Sequence, residues 1–176
     1  MFNYPLVTTT ANRCEDGWRY SPHSRKCYKF YGIDSSWALA EFKCYFNGGH
    51  HVSVHSYYDN QFIRELARGS KTLWLGNAQF GKSVNYVWTD HSPYNYESWP
   101  HGVRPPRISG RQCTKMNVAT GEWFQSCCKV ASPYICQKDA KQEPKSGYET
   151  YYQPLKSNSI TSHNNASFLK RYLHIY

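Results

Sequence analysis

Two hydrophobic periods alternate along the chain. After a turn cluster at Ser21-Pro22-His23-Ser24, the run Cys27-Tyr28-Lys29-Phe30 alternates and predicts a strand. Trp37, Ala40 and Cys44 then fall at i, i+3 and i+7, one helical stripe. Asp34 or Ser35 is the expected N-cap, and Gly48-Gly49 the stop. His51 to His55 alternates as a second strand. Ser56-Tyr57-Tyr58-Asp59 is a capping signal that opens a second helix, with Phe62, Ile63 and Leu66 facing inward and Gly69 at its end. Leu73–Gly76, Val84–Val87 running into a turn at Trp88–Asp90, and Pro133–Cys136 complete the predicted strands. Between His91 and Gln112 the periodicity fades, and Pro93, Pro100, Pro105 and Pro106 mark a long loop. The pattern gives an N-terminal arm over residues 1–13, one domain over 14–137, and a flexible polar C-terminal tail over 138–176. The tail regains apolar residues only at Phe168–Leu173.

Seven cysteines change the picture. Zinc needs paired Cys-x-x-Cys or Cys/His spacings, and none is present. The cysteines therefore read as disulfides of an oxidising compartment, so the protein is expected to be secreted or extracellular. A Cys14–Cys27 bridge would close a hairpin across the first turn, but spacing alone leaves the connectivity open and one cysteine over. No signal peptide is visible at Met1–Thr8, and no apolar run is long enough to span a bilayer. The net charge of +9 fits a basic-biased surface or an anionic partner. The basic residues are spread along the chain, without a phosphate loop or a nucleic-acid-binding signature. Nucleic acid is not an expected partner.

An ordered set of residues then resembles a known family. Cys14, Gly17-Trp18, Cys27-Tyr28, Trp37-x-x-Ala40-x-x-x-Cys44, Gly48-Gly49-His50 and Val52-Ser53-Val54 form the first half. Trp74-Leu75-Gly76, Trp88, Trp99, Cys113, Gly121-x-Trp123, Cys128 and Ile135-Cys136 form the second. In this order they resemble a C-type lectin-like domain of the long form, with phrasing like that of secreted invertebrate and nematode members. The resemblance implies an α+β fold: two helices flanking small antiparallel sheets, with a long loop region, stapled by disulfides. It implies the pairs Cys14–Cys27, Cys44–Cys136 and Cys113–Cys128. Cys127 is then the odd cysteine, open to three fates: a buried free thiol, an alternative partner for Cys113, or an inter-chain bridge giving a disulfide-linked dimer.

In sugar-binding members of that family a Ca²⁺ ion in the long loop bridges protein and sugar. Such an ion needs six to eight oxygen ligands. Here the family's Glu-Pro-Asn position aligns with Arg104-Pro105-Pro106, the residues before Cys113 are Arg111-Gln112, and Phe124-Gln125 follows Trp123 where the family has Asn-Asp. No cofactor is expected, and Ca²⁺ at the usual sugar site is not expected. What remains is a basic, proline-rich loop. His101, Arg104, Arg107 and Arg111, with Tyr96 and Gln125, are the candidate ligand-binding residues. Arginine forks pair with carboxylate or sulfate, and aromatic faces stack on sugar rings. Trp99 is expected in the core.

Other chemistry is thin. His51 and His55 on one strand would stand about 13 Å apart, too far to share a metal. No nucleophile elbow, His-Glu-x-x-His motif or carboxylate pair is present, so no enzyme is expected. Asn165-Ala166-Ser167 is a candidate glycosylation site. The expected function is an extracellular, non-catalytic recognition module for a glycan or glycoconjugate, an acidic one among the candidates, without calcium. The resemblance places such a module in innate defence. The alternative is a protein–protein interaction module, a receptor ligand or a disulfide-linked subunit.

Overall fold

The structure, a computed structural model, describes residues 13–141. The expected arm, apart from Arg13, and the tail from residue 142, with Asn165, lie outside the described residues. Eleven short elements build the domain. A hairpin of β1 (Arg19–Ser21) and β2 (Lys26–Ser35) leads into α1 (Trp37–Phe46). The two-residue β3 (His50–His51) follows, then α2 (Tyr57–Leu66), β4 (Thr72–Ala78) and the two-residue β5 (Val87–Trp88). After the long loop and its single 3-10 turn at Pro100–Gly102 come β6 (Cys113–Asn117), β7 (Trp123–Ser126) and β8 (Ser132–Asp139).

The strands run β1-β2-β8-β4-β6-β7, with β3 on β8 and β5 on β4. Neighbours are antiparallel except β4 and β8, which meet in a parallel bridge at Trp74 and Tyr134. Through this bridge the small sheets are joined into one. β8 continues two residues past the expected boundary at Gln137, because Lys138 and Asp139 still pair with Cys27 and Lys26.

The N-cap position of the first helix is Ser36 rather than Asp34 or Ser35, and the Ser36 side chain makes no capping hydrogen bond. β2 runs on through those two residues and Ser35 pairs with Ser132, which holds the backbone extended until Ser36. Trp37, Ala40 and Cys44 are its buried residues, the stripe read from the sequence. At its exit Gly49 passes so close to β8 that a Cβ there would lie 2.1 Å from the Gln137 carbonyl oxygen. Only glycine fits. The second helix begins as expected, with the Ser56 hydroxyl accepting the Asp59 N–H at 3.1 Å. The strand expected over His51–His55 is only two residues long. Beyond it Val52 still bonds Ile135 and Gly76, but Ser53 and His55 turn to side-chain partners.

Two apolar clusters flank the sheet. One gathers Tyr28, Val54, Ile63, Leu73, Leu75, Trp88, Trp123 and Ile135. The other gathers Trp37, Ala40, Cys44, Trp74, Tyr134 and Cys136 under α1. Buried tryptophan adds apolar area but brings an N–H that needs an acceptor. Trp37 Nε1 donates to the Leu75 carbonyl and Trp74 Nε1 to that of Ser35, both at 2.8 Å. The disulfides Cys14–Cys27, Cys44–Cys136 and Cys113–Cys128 are formed as the resemblance implied, and Cys127 is free and half-buried.

Candidate ligand-binding groove

The long loop leaves β4 after Ala78 and returns at Cys113, where the two residues pair and Gln79 N–H bonds the Gln112 carbonyl at 2.9 Å. Its root is polar. The Asp90 carboxylate accepts from Gln137 Nε2 at 2.6 Å, Ser53 Oγ at 2.7 Å and Lys26 Nζ at 3.3 Å. Burial alone would raise this carboxyl. The hydrogen bonds of Ser92 and Ser53, with the charge of Lys26, outweigh it and hold the group below the usual carboxylate range. His55 Nε2 lies 3.0 Å from Ser53 Oγ. That is a hydroxyl–imidazole contact, but Ser53 is buried and its hydroxyl is committed to Asp90. The pair fastens the loop rather than exposing a nucleophile.

Above the root lies an aromatic floor. Trp123 meets Trp88, Trp99 and Tyr96 edge-on, with ring centres 5.7–5.8 Å apart. Its Nε1 donates to Asn60 Oδ1 of α2, and its backbone N–H to the Ser98 carbonyl at 2.7 Å. Trp99 is buried, as expected.

The candidate residues separate on this floor. Tyr96 packs partly buried against the core. His101 is exposed at a left-handed backbone position, φ 55°. Arg104 is clamped by Glu97, with Nε 2.7 Å from Oε1, and lies over the Tyr94 ring. Arg107 donates to the Gly81 carbonyl at 2.7 Å and so ties the two limbs of the loop. Two of the three arginines expected to meet an acidic ligand are therefore engaged inside the loop. Gln125 is buried, and its amide donates to Tyr86 Oη at 2.7 Å and to the Pro106 carbonyl at 3.1 Å. Its Oε1 has no hydrogen-bond partner.

Arg111 and Gln125 are the two candidates brought together. They line one groove of about 360 Å³, whose other walls include Val103, Pro105, Ile108 and Phe124. Val103, Ile108 and Phe124 are exposed. The sequence reading weighed Phe124 only as a lost oxygen ligand and missed it as an apolar wall. The signal was present: at alternating positions in β7, Trp123 and Gln125 face the core, so Phe124 must face out. Among the described residues no group of three or more His, Cys, Asp or Glu could hold a metal ion.

A family model for the lectin C-type domain matches residues 33–138. The chain belongs to the C-type lectin domain family. It is 28% identical over 138 residues to the galactose-specific lectin nattectin of Thalassophryne nattereri, covering 76% of this chain and 86% of that protein. It is 30% identical over 129 residues to human lymphocyte antigen 75, covering 72% of this chain but only 8% of that much longer protein. The crystal structure of a calcium-independent type II antifreeze protein superposes with a TM-score of 0.66 at 27% identity, covering 73% of this chain and 95% of that one. Among the described residues no helix of this C-type lectin domain is long and apolar enough to cross a membrane.

Proposed function

We propose that this C-type lectin domain is an extracellular, non-catalytic recognition module that binds a carbohydrate or glycoconjugate without calcium. The observation that carries the reading is the state of Gln125. In a calcium-held sugar site this position supplies oxygen to the ion. Here its amide is turned to Tyr86 and Pro106, and the nearby Glu97 is taken by Arg104. The groove offers instead an exposed phenyl face at Phe124 and, at Arg111, a guanidinium with no hydrogen bond or ion pair among the described residues, while Gln125 Oε1 stays buried behind them. A sugar ring presents an apolar face and hydroxyl oxygens that accept hydrogen bonds, which match these groups. A relative named as a galactose-specific lectin and a structural neighbour named as calcium-independent support the two halves of the reading. Recognition of microbial glycans is the role that the family resemblance suggests. A glycan array with calcium and with a chelator tests this. The expected hits are indifferent to the chelator and are lost at least tenfold in Phe124→Ala. Loss of binding on chelation would sink the calcium-free reading.

One observation favours a second reading, an interaction module formed by two copies. The outer side of α1 exposes Leu39, Phe42, Tyr45 and Phe46. The free Cys127 adjoins the start of this helix, since the neighbouring Cys128 carbonyl accepts the Trp37 N–H at 2.9 Å. A non-reducing gel of the native chain and of Cys127→Ser decides it: a dimer in the first and a monomer in the second supports this reading, and two monomers remove it.

A further inference from the structure

We infer that the cleft between the β1–β2 hairpin and the end of β8 binds an oxyanion-bearing sugar, a sulfated or carboxylated oligosaccharide. The cleft measures about 530 Å³ and lies on residues separate from the groove of the long loop. Four of its lining residues are cations, Arg13, Arg25, Lys26 and Lys141, and Asp139 is the one carboxylate among them.

The hydrogen-bond state of the walls points to an anion. Tyr28 donates its hydroxyl to Ser24 Oγ at 2.8 Å, so the Ser24 hydrogen is left to donate elsewhere. Arg13 donates to Tyr20 Oη at 2.7 Å and stacks on its ring, which leaves the Tyr20 hydrogen available as well. Arg25 is exposed, and its guanidinium has no hydrogen bond or ion pair among the described residues. Lys26 shares its ammonium with Asp90 at 3.3 Å and keeps further donors. Beside the cleft, Glu15 is taken by Lys138 at 2.7 Å, and Lys141 is close enough to add to its field. The walls thus present mainly donors, several of them charged, around an aromatic ring. Sulfate and carboxylate accept from such donors in forked geometry, and the ring suits the sugar that carries them.

Backbone conformation adds a second argument. Arg25 closes the hairpin turn at φ 57°, the left-handed region that glycine enters without cost. Holding an arginine there costs on the order of 1 kcal/mol. Glycine would hold this turn without that cost, and a ligand-binding role for the guanidinium accounts for the arginine.

Isothermal titration of the full chain tests the inference. The probes are a sulfated oligosaccharide, its carboxylated counterpart and its neutral counterpart. At least one charged probe is expected to bind, and which of them binds identifies the source of the oxyanion. The neutral probe is expected to bind at least tenfold more weakly. Arg25→Glu combined with Lys141→Glu is expected to weaken the charged probe at least tenfold. Arg111→Glu, in the loop groove, is expected to leave it unchanged. Both positions of the double variant are exposed, and an unchanged thermal unfolding curve confirms that it folds. Undiminished binding by the folded double variant overturns the inference. So do loss of binding in Arg111→Glu, equal binding of the neutral probe, and no binding of either charged probe by the native chain. Failure of the loop groove to bind neutral glycans leaves this outcome untouched, since the two sites share no residue.

Discussion

His51 shows how far one residue can depend on its surroundings. Its ring is fully buried, edge-on to Trp37 with centres 5.5 Å apart, and neither ring nitrogen has a hydrogen-bond partner. Glu41 stands 4.0 Å from Nδ1 but is already bonded to His50 and to the His51 backbone. Burial first, and then the neighbouring His50, push the imidazole down to about 3. The sign of the effect on stability follows. The folded state keeps His51 neutral, while the unfolded chain takes up a proton below about 6.5, so acid favours unfolding. The contribution is fully present above that value and is lost as pH falls from it toward 3, with a slope approaching about 1.4 kcal/mol per pH unit. Urea unfolding at pH 7.5 and 4.5 checks this. His51→Leu is expected to lose clearly less stability between the two pH values than the native protein; an identical loss would show that His51 does not titrate on unfolding. The sequence displayed His51 as half of a histidine pair. It could not display the burial that sets the ring's chemistry, because that comes from Trp37 and Tyr134, remote in the chain.

At the scale of elements, the disulfides set how much each part of the chain can unfold alone. Cys14–Cys27 spans 13 residues and ties only the hairpin, whereas Cys44–Cys136 spans 92 and fastens α1 to β8. In the chain-entropy model a short loop of this kind contributes about 3 kcal/mol and one of about a hundred residues closer to 4.7. Replacing Cys44 and Cys136 by serine is therefore expected to lower urea stability more than replacing Cys14 and Cys27. The opposite order would mean that hairpin strain or packing, not loop closure, dominates. Both helices were legible because each rests on local spacing, Trp37, Ala40 and Cys44 on one helical stripe and Ser56 three residues before Asp59, whereas spacing left the cysteine pairings open and only the family resemblance implied them. The start of α1 was not legible. Ser35 could serve as a cap on local grounds, and only its pairing with Ser132, nearly a hundred residues away, keeps it in the strand. Short strands suffered likewise, since β3 and β5 owe their extent to partners on β8 and β4.

For the whole molecule the question is what holds the long loop in place. A metal-held loop gains order from the ion and loses it on chelation, because a ligand that binds only the folded state adds to its stability. This loop has protein contacts at each level. Asp90 collects Lys26, Ser53 and Gln137 at the root. Trp123 and its aromatic neighbours form the floor, Gln125 holds the Pro106 carbonyl, and Arg107 bridges to Gly81. The absence of the family's acidic residues was plain in the sequence, but what their replacements do was not. Arg104, Arg107 and Arg111 looked alike as a basic loop, and folding gives two of them internal partners and leaves the third at the groove. The loop is therefore expected to be as ordered without calcium as with it. Millimolar calcium or a chelator should leave the thermal midpoint within about one degree. Gln125→Ala, which frees both Tyr86 and Pro106, should lower stability by about 1–3 kcal/mol, the usual range for leaving a buried hydrogen-bonding group without its partner. It should also raise amide exchange in the segment around Pro106 while leaving α1 protected. A midpoint that rises several degrees with calcium would show that the loop keeps a cation site these side chains do not reveal. A Gln125→Ala protein with native exchange at Pro106 would show that the loop is held from elsewhere.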